Sequence, residues 1–141
     1  MFNFMENLLA MLKKLTEIKP NKFNQVVYGK EKLSEDFVED IRKHGVLVPV
    51  SIKRDGTLIS GHKRVEACLH LKLKTIPANV VFYGNVNDER EAIISYNNQR
   101  EKTFSQRMNE AQQLQIIERE RAKERMKAGK KLGGRLKNAQ G

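Results

Sequence analysis

The chain has 141 residues, a formal net charge of +10 and a single cysteine. That length fits one domain with an appendage. The lone cysteine excludes a disulfide framework and a Cys-rich zinc site, and no apolar run approaches the ~18 residues of a membrane span. The opening residues 1–15 are apolar but interrupted by Glu6, Asn7, Lys13 and Lys14, without the basic start and cleavage site of a signal peptide. These features give a cytoplasmic, reduced and basic chain with no membrane partner.

Phe4, Leu8, Leu12 and Leu15 recur at helical spacing, which predicts an amphipathic helix over 3–15. Residues 16–18 read as a short extended piece closed by Pro20, and 19–32 as a polar loop. Ser34 caps a predicted helix that carries Leu33, Phe37 and Ile41 and stops at Gly45. Val46–Lys53 is β-branched and runs into Asp55-Gly56, a hairpin signal, with Thr57–Ser60 as the return strand. Gly61 breaks that strand before a helix over 62–71 with Val65, Cys68 and Leu69 on one face. A strand over 76–82 and a helix over 87–98 follow. Ser105 then opens a long helix to about 127, with Gly129, Gly133 and Gly134 marking its end. The pattern is α+β: a small mixed sheet with surrounding helices and a C-terminal helical extension. The expected divisions are 1–15 amphipathic helix, 16–104 principal domain, 105–128 basic helix and 129–141 flexible basic tail.

Charge concentrates at the end. Residues 118–141 hold nine Lys or Arg against three Glu, a net of +6. Basic side chains attract polyanions because neutralised phosphates release condensed counterions. Arg119, Arg121, Lys123, Arg125, Lys127, Lys130 and Lys131 are therefore the candidates for DNA-backbone contact. A solvated helix end with intrahelical ion pairs satisfies the same pattern.

The segment Ser60-Gly61-His62-Lys63-Arg64 places a glycine turn and two cations between a strand and a helix. First-turn amides converge on one spot and favour an anion there, and Lys63 and Arg64 add charge. The alternative is a tight turn with solvated side chains. A second polar cluster, Tyr96-Asn97-Asn98-Gln99-Arg100, offers ligands for phosphate or a hydrated metal; the alternative is a plain helix C-cap.

Taken in order, Lys19-Pro20-Asn21, the stretch 33–41, His44-Gly45-Val46-Leu47-Val48-Pro49-Val50, Ser60 to Arg64, Lys74 to Ala78, Asn97-x-Gln99-Arg100 and Glu110-Ala111 resemble the ParB/sulfiredoxin-like superfamily over about residues 15–115. The likeness is to the N-terminal domain of ParB chromosome- and plasmid-partition proteins, which bind CTP with Mg2+, hydrolyse it slowly and clamp on DNA as dimers. It implies a nucleotide, CTP favoured, with phosphates at Gly61, His62, Lys63, Arg64, Asn97, Asn98, Gln99 and Arg100. It also implies a pocket including Gly45, Val46 and Pro49, and Mg2+ met by Asn97 through the nucleotide. Association with the nucleoid, a plasmid or a mobile element, and a homodimer, belong to the same expectation. Tyr96 stands where partition proteins carry a glutamate near the metal, which implies weak or no hydrolysis. Val48 and Val26 also depart from the family pattern, and no helix-turn-helix follows, as in a stand-alone or truncated ParB-like module. His62 stands where sulfiredoxin needs its cysteine, so that reductase activity is not expected. The superfamily leaves two alternatives. One is an enzyme, a serine-kinase-like phosphotransferase with Glu31 or Glu35 as base, or a nuclease. The other is a scaffold that only contacts DNA or protein.

Overall fold

The computed structural model describes residues 12–139. The described chain forms two compact units, one through Arg100 and one from Glu101 onward. Most of the predicted helix over 3–15 lies outside the described residues. Its last part is instead a strand, β1 (Leu12–Lys14), followed by a 3₁₀ turn (Leu15–Glu17), which also replaces the extended piece expected at 16–18.

The stretch read as a loop contains a helix, α1 (Lys22–Tyr28). Asn21 caps it by accepting a hydrogen bond from the Asn24 amide at 3.2 Å. Helix α2 (Glu35–His44) follows the local rules. Ser34 Oγ accepts from the Phe37 amide, acidic residues sit in the first turn, basic residues in the last, and Gly45 ends it at φ 70°. Strand β2 (Val50–Ile52) turns through Asp55-Gly56 into β3 (Leu58–Ser60), with the Asp55 carboxylate accepting from the Thr57 amide at 2.9 Å. Strand β2 is shorter than the predicted Val46–Lys53, because residues 46–49 do not pair. Helix α3 (His62–His70), strand β4 (Thr75–Val80) and helix α4 (Val86–Tyr96) complete the first unit.

The four strands lie in the order β1-β4-β2-β3. Strand β4 is antiparallel to β1 and parallel to β2, while β2 and β3 form the antiparallel hairpin. Alternation along β3 sends consecutive residues to different cores. Leu58 joins a cluster with Ile41, Val50, Ile52, Val65, Cys68 and Ile76. Ile59 joins Val27, Tyr28 and Ile93, with Phe23, Val81 and Tyr83 packed alongside. Helix α1 thus supplies core, which a polar loop would not. Cys68 is buried, and burial pushes its thiol pKa up, as befits a core residue.

The second unit is one helix, α5 (Phe104–Ala139). Thr103 and Gln106 open it with a reciprocal cap: the Gln106 amide donates to Thr103 Oγ1 at 3.2 Å, and the Thr103 amide donates to Gln106 Oε1 at 3.0 Å. The helix does not stop at Gly129, Gly133 or Gly134, which corrects the predicted end near 127. A glycine stop requires a left-handed residue, and the positive-φ glycines are 29, 45, 56 and 61.

Candidate functional site

A cavity of about 830 Å³ opens in the first unit. Gly61, His62, Lys63 and Arg64 line it from the start of α3. Asn24, Gln25, Gly29, Lys30 and Glu31 line it from α1 and the following segment, and Tyr96, Asn97 and Arg100 from the end of α4. Ile18, Pro20, Phe37 and Leu58 supply an apolar part. Apolar walls with a few convergent polar groups suit a small-molecule ligand. A second groove, of about 470 Å³, runs along α5 between Ala128 and Asn138 and draws on that one helix alone.

The turn at Gly61 depends on its lacking a side chain. Its φ is 108°, and an added Cβ would lie 2.4 Å from Val50 Cγ1. Helix α3 starts with no side-chain cap, so its first amides keep their capacity for an external acceptor.

The two predicted cations next to that turn have different roles. Arg64 lines the cavity, but its Nη1 donates to the carbonyls of Val48 at 2.6 Å and Pro49 at 3.0 Å. Burial lowers its pKa, although a guanidinium stays charged. Arg64 therefore anchors the segment before β2 to the start of α3. Lys63 instead reaches Glu31, Nζ to Oε2 at 3.4 Å, and Arg100 pairs with the other oxygen of the same carboxylate. Arg100 also lies 4.9 Å over the Tyr28 ring, a cation–π contact. For Glu31, burial is the largest influence and raises the pKa. The hydrogen bond and charge of Arg100, with those of Lys63, together outweigh it and hold the carboxyl below its ordinary value.

His62 lines the same cavity with Nε2 buried and without a hydrogen-bond partner. Burial pushes its pKa down to about 4, so the imidazole is neutral at pH 7. Arg100 Nε is likewise buried without a partner. Asn97 Nδ2 donates to the Ile93 carbonyl at 2.7 Å, capping α4 and leaving Oδ1 as its acceptor. Tyr96 hydrogen-bonds Tyr83. Burial, then the Tyr96 neighbour, then Glu89 push the Tyr83 phenol up to about 12.

The structure thus gathers Gly61, His62, Lys63, Arg64, Asn97 and Arg100 around one cavity. Asn98 and Gln99 are exposed and do not line it. Gly45, Val46 and Pro49 do not line it either; Pro49 touches the site only through Arg64. Sequence reasoning missed the part played by α1 and Tyr28, and named Glu31 only as one of two candidate bases in an alternative reading, not as the partner of two cations. The signal for α1 was present in the Asn21 cap, the Phe23/Val27 pair and the Gly29 stop.

Among the described residues, no group of three or more His, Cys, Asp or Glu is placed to hold a metal. Asn97 Oδ1 does not make a metal centre by itself. A cation there would need its other ligands from phosphate oxygens and water. No described helix is long and apolar enough to cross a membrane.

A four-stranded mixed sheet, with a glycine-started helix and the end of α4 meeting at a basic cavity, defines an α+β domain of the ParB type. Residues 6–98 match the ParB N-terminal domain, and the chain belongs to that family. It is 31% identical over 86 residues to the ParB-like nuclease domain-containing protein YnaK of Escherichia coli K12, covering 61% of this chain and 95% of that protein. It is 35% identical over 86 residues to the nucleoid occlusion protein of Listeria innocua, covering 57% of this chain and 29% of that protein. The fold matches a Pnob8-like ParB-N domain with a TM-score of 0.60 at 17% identity, over 84% of this chain and 48% of that one. It also matches C-terminally truncated ParB from Caulobacter crescentus. In the complex with CTP-γ-S the TM-score is 0.50 at 22% identity, over 65% and 54% of the two chains. In the complex with the centromeric parS site it is 0.53 at 20% identity, over 75% and 55%. The chain spans about half the length of these solved partition proteins, to which its domain is related.

Proposed function

We propose that this chain is a nucleotide-binding module associated with DNA. The cavity takes a nucleoside triphosphate, CTP favoured, with phosphates against the Gly61 turn, Lys63 and Arg100. The observation that carries this reading is the convergence of two cations and an uncapped helix start on one side of a cavity of ligand size. The Caulobacter partition protein, which shares the fold, has been solved with CTP-γ-S and with parS DNA, which supports the choice of partners. Mg2+ arrives with the phosphates and gains at most Asn97 Oδ1 from the chain. DNA is held through its phosphates by the basic residues of α5.

Binding exceeds hydrolysis in this reading. Tyr96 offers a phenol where a metal-holding carboxylate would be needed. Glu31 is engaged by the two cations and Glu35 does not line the cavity, so neither candidate base is placed for a kinase. A nuclease lacks a described carboxylate cluster.

Calorimetry and thermal shift with each nucleoside triphosphate, with and without Mg2+, test the reading. A ligand at 100 times its Kd adds about 2.7 kcal/mol of stability. CTP is expected to do so, and Lys63→Ala to weaken it about tenfold or more, as loss of a charge-assisted contact does. A wild-type chain that no nucleotide stabilises at millimolar concentration overturns the proposal.

A further inference from the structure

Glu31 occupies the place that an anionic ligand needs. Its two carboxylate oxygens take Lys63 and Arg100, one each, so the cavity already holds an anion belonging to the chain. We propose that Glu31 is a resident counter-anion that any phosphate ligand must displace, and that it raises the threshold for binding, so that only di- and triphosphates, with contacts beyond the two cations, occupy the site at low concentration. The proposal rests on the cavity being the nucleotide phosphate site and assigns its discrimination between ligands.

The argument is one of exchange. A carboxylate in contact with both cations satisfies them at no translational cost, because it is tethered. A single phosphate replaces one bidentate anion by another, loses its own hydration and gains little. A chain of two or three phosphates brings charge beyond that of the carboxylate it expels, and reaches the uncapped amides of α3 as well. The anchorage of Glu31 suits exchange. It lies in the segment between Gly29, which ends α1 at φ 68°, and Ser34, which caps α2, with no helix or strand of its own. Its side chain is only partly exposed, at 26%. The other titratable groups lining the cavity are neutral His62, Lys30, Arg64, which is held by the Val48 and Pro49 carbonyls, Glu66 on α3 and Tyr96.

The test uses the full chain with inorganic orthophosphate and tripolyphosphate as probes, and CTP in parallel, by calorimetry at fixed ionic strength. Glu31→Gln is expected to bind orthophosphate, tripolyphosphate and CTP each about tenfold tighter than wild type, which brings orthophosphate into the measurable range. Equal or weaker binding of all three probes by Glu31→Gln, with wild type binding CTP normally, overturns the inference while leaving the nucleotide reading intact. Failure of every probe to bind either protein overturns both. A circular dichroism melt of Glu31→Gln that matches wild type guards against a misfolded variant. The Glu31 carboxyl carbon, followed by NMR through an acid titration, is expected to titrate below the ordinary range in the free chain and to move upward with tripolyphosphate bound. A carboxyl that stays depressed with ligand bound has kept its partners, and the inference fails.

Discussion

The cradle beside Gly61 and the basic half of α5 are both cationic, but they hold their charge in opposite ways. Lys63 and Arg100 share one carboxylate beside a cavity, and Arg100 lies over an aromatic ring. Lys123, Lys127, Lys130 and Lys131 stand exposed on a helix, where the nearby Arg125–Glu118 pair, at 2.8 Å, is itself open to solvent. Compensated, partly buried charge discriminates among ligands by geometry. Exposed charge of one sign attracts any polyanion and is weakened by salt. In the proposed reading the difference teaches that one chain can pair a selective anion site with an unselective one.

Salt gives the widest separation. If α5 holds DNA by about six phosphates, raising salt from 50 to 200 mM lowers DNA affinity about a thousandfold. CTP affinity is expected to fall far less over the same range. Replacing Lys123, Lys127, Lys130 and Lys131 with Gln flattens the DNA slope and leaves CTP binding unchanged. A filter-binding or anisotropy series checks this, and a sharp preference for one DNA sequence would break the contrast.

Backbone demands come next. Gly61→Ala puts a methyl against Val50 at a positive φ and is expected to cost about 3 kcal/mol or more in a denaturant melt, with loss of nucleotide binding.

The pH dependence of stability is a slightly smaller effect with a definite sign. His62 is neutral in the folded chain down to about 4, whereas an unfolded imidazole takes its proton near 6.5. The unfolded state therefore binds more protons as pH falls through that window, and stability drops by about 2–3 kcal/mol between 6.5 and 4. His62→Gln is expected to flatten that part of the profile. Loss of the Glu31 contribution begins near the ordinary carboxyl value and continues below it, since the folded carboxyl takes its proton at lower pH.

The smallest effect has the opposite sign. Nothing lies within 4 Å of a Cβ placed on Gly129. Gly129→Ala is expected to stabilise α5 by about 0.5–1 kcal/mol in thermal melts followed by circular dichroism, without altering CTP binding.

What the sequence made legible was its punctuation. Ser34, Gly45, Asp55-Gly56 and Gly61 act within a few residues of themselves, so caps, hairpin and the break before α3 can be read locally. Strand β1 could not be: Leu12 to Lys14 carry a helical pattern, and they are extended because Thr75 to Pro77 pair with them across the sheet. The glycines of α5 resemble a stop, but Ala128, Lys130, Lys131 and Leu132 around them favour helix, and the helix continues. In the site, the Gly61 turn and the Asn97/Arg100 segment were legible as motifs. The joint engagement of Lys63 and Arg100 by Glu31 was not, because Glu31 and Arg100 meet from opposite ends of the domain.

The order of strands in the sheet also bears on how the chain is made. Strand β4 lies between β1 and β2, so β1 has no described partner until residues 75–77 exist. At roughly 5–20 residues per second, the earliest strand waits several seconds on the ribosome for its neighbour. The β2–β3 hairpin has its partner within ten residues and can close well before then. A translational pause after β4 would thus act on assembly of the sheet, whereas a pause before it would prolong the exposure of an unpaired Leu12–Lys14 segment.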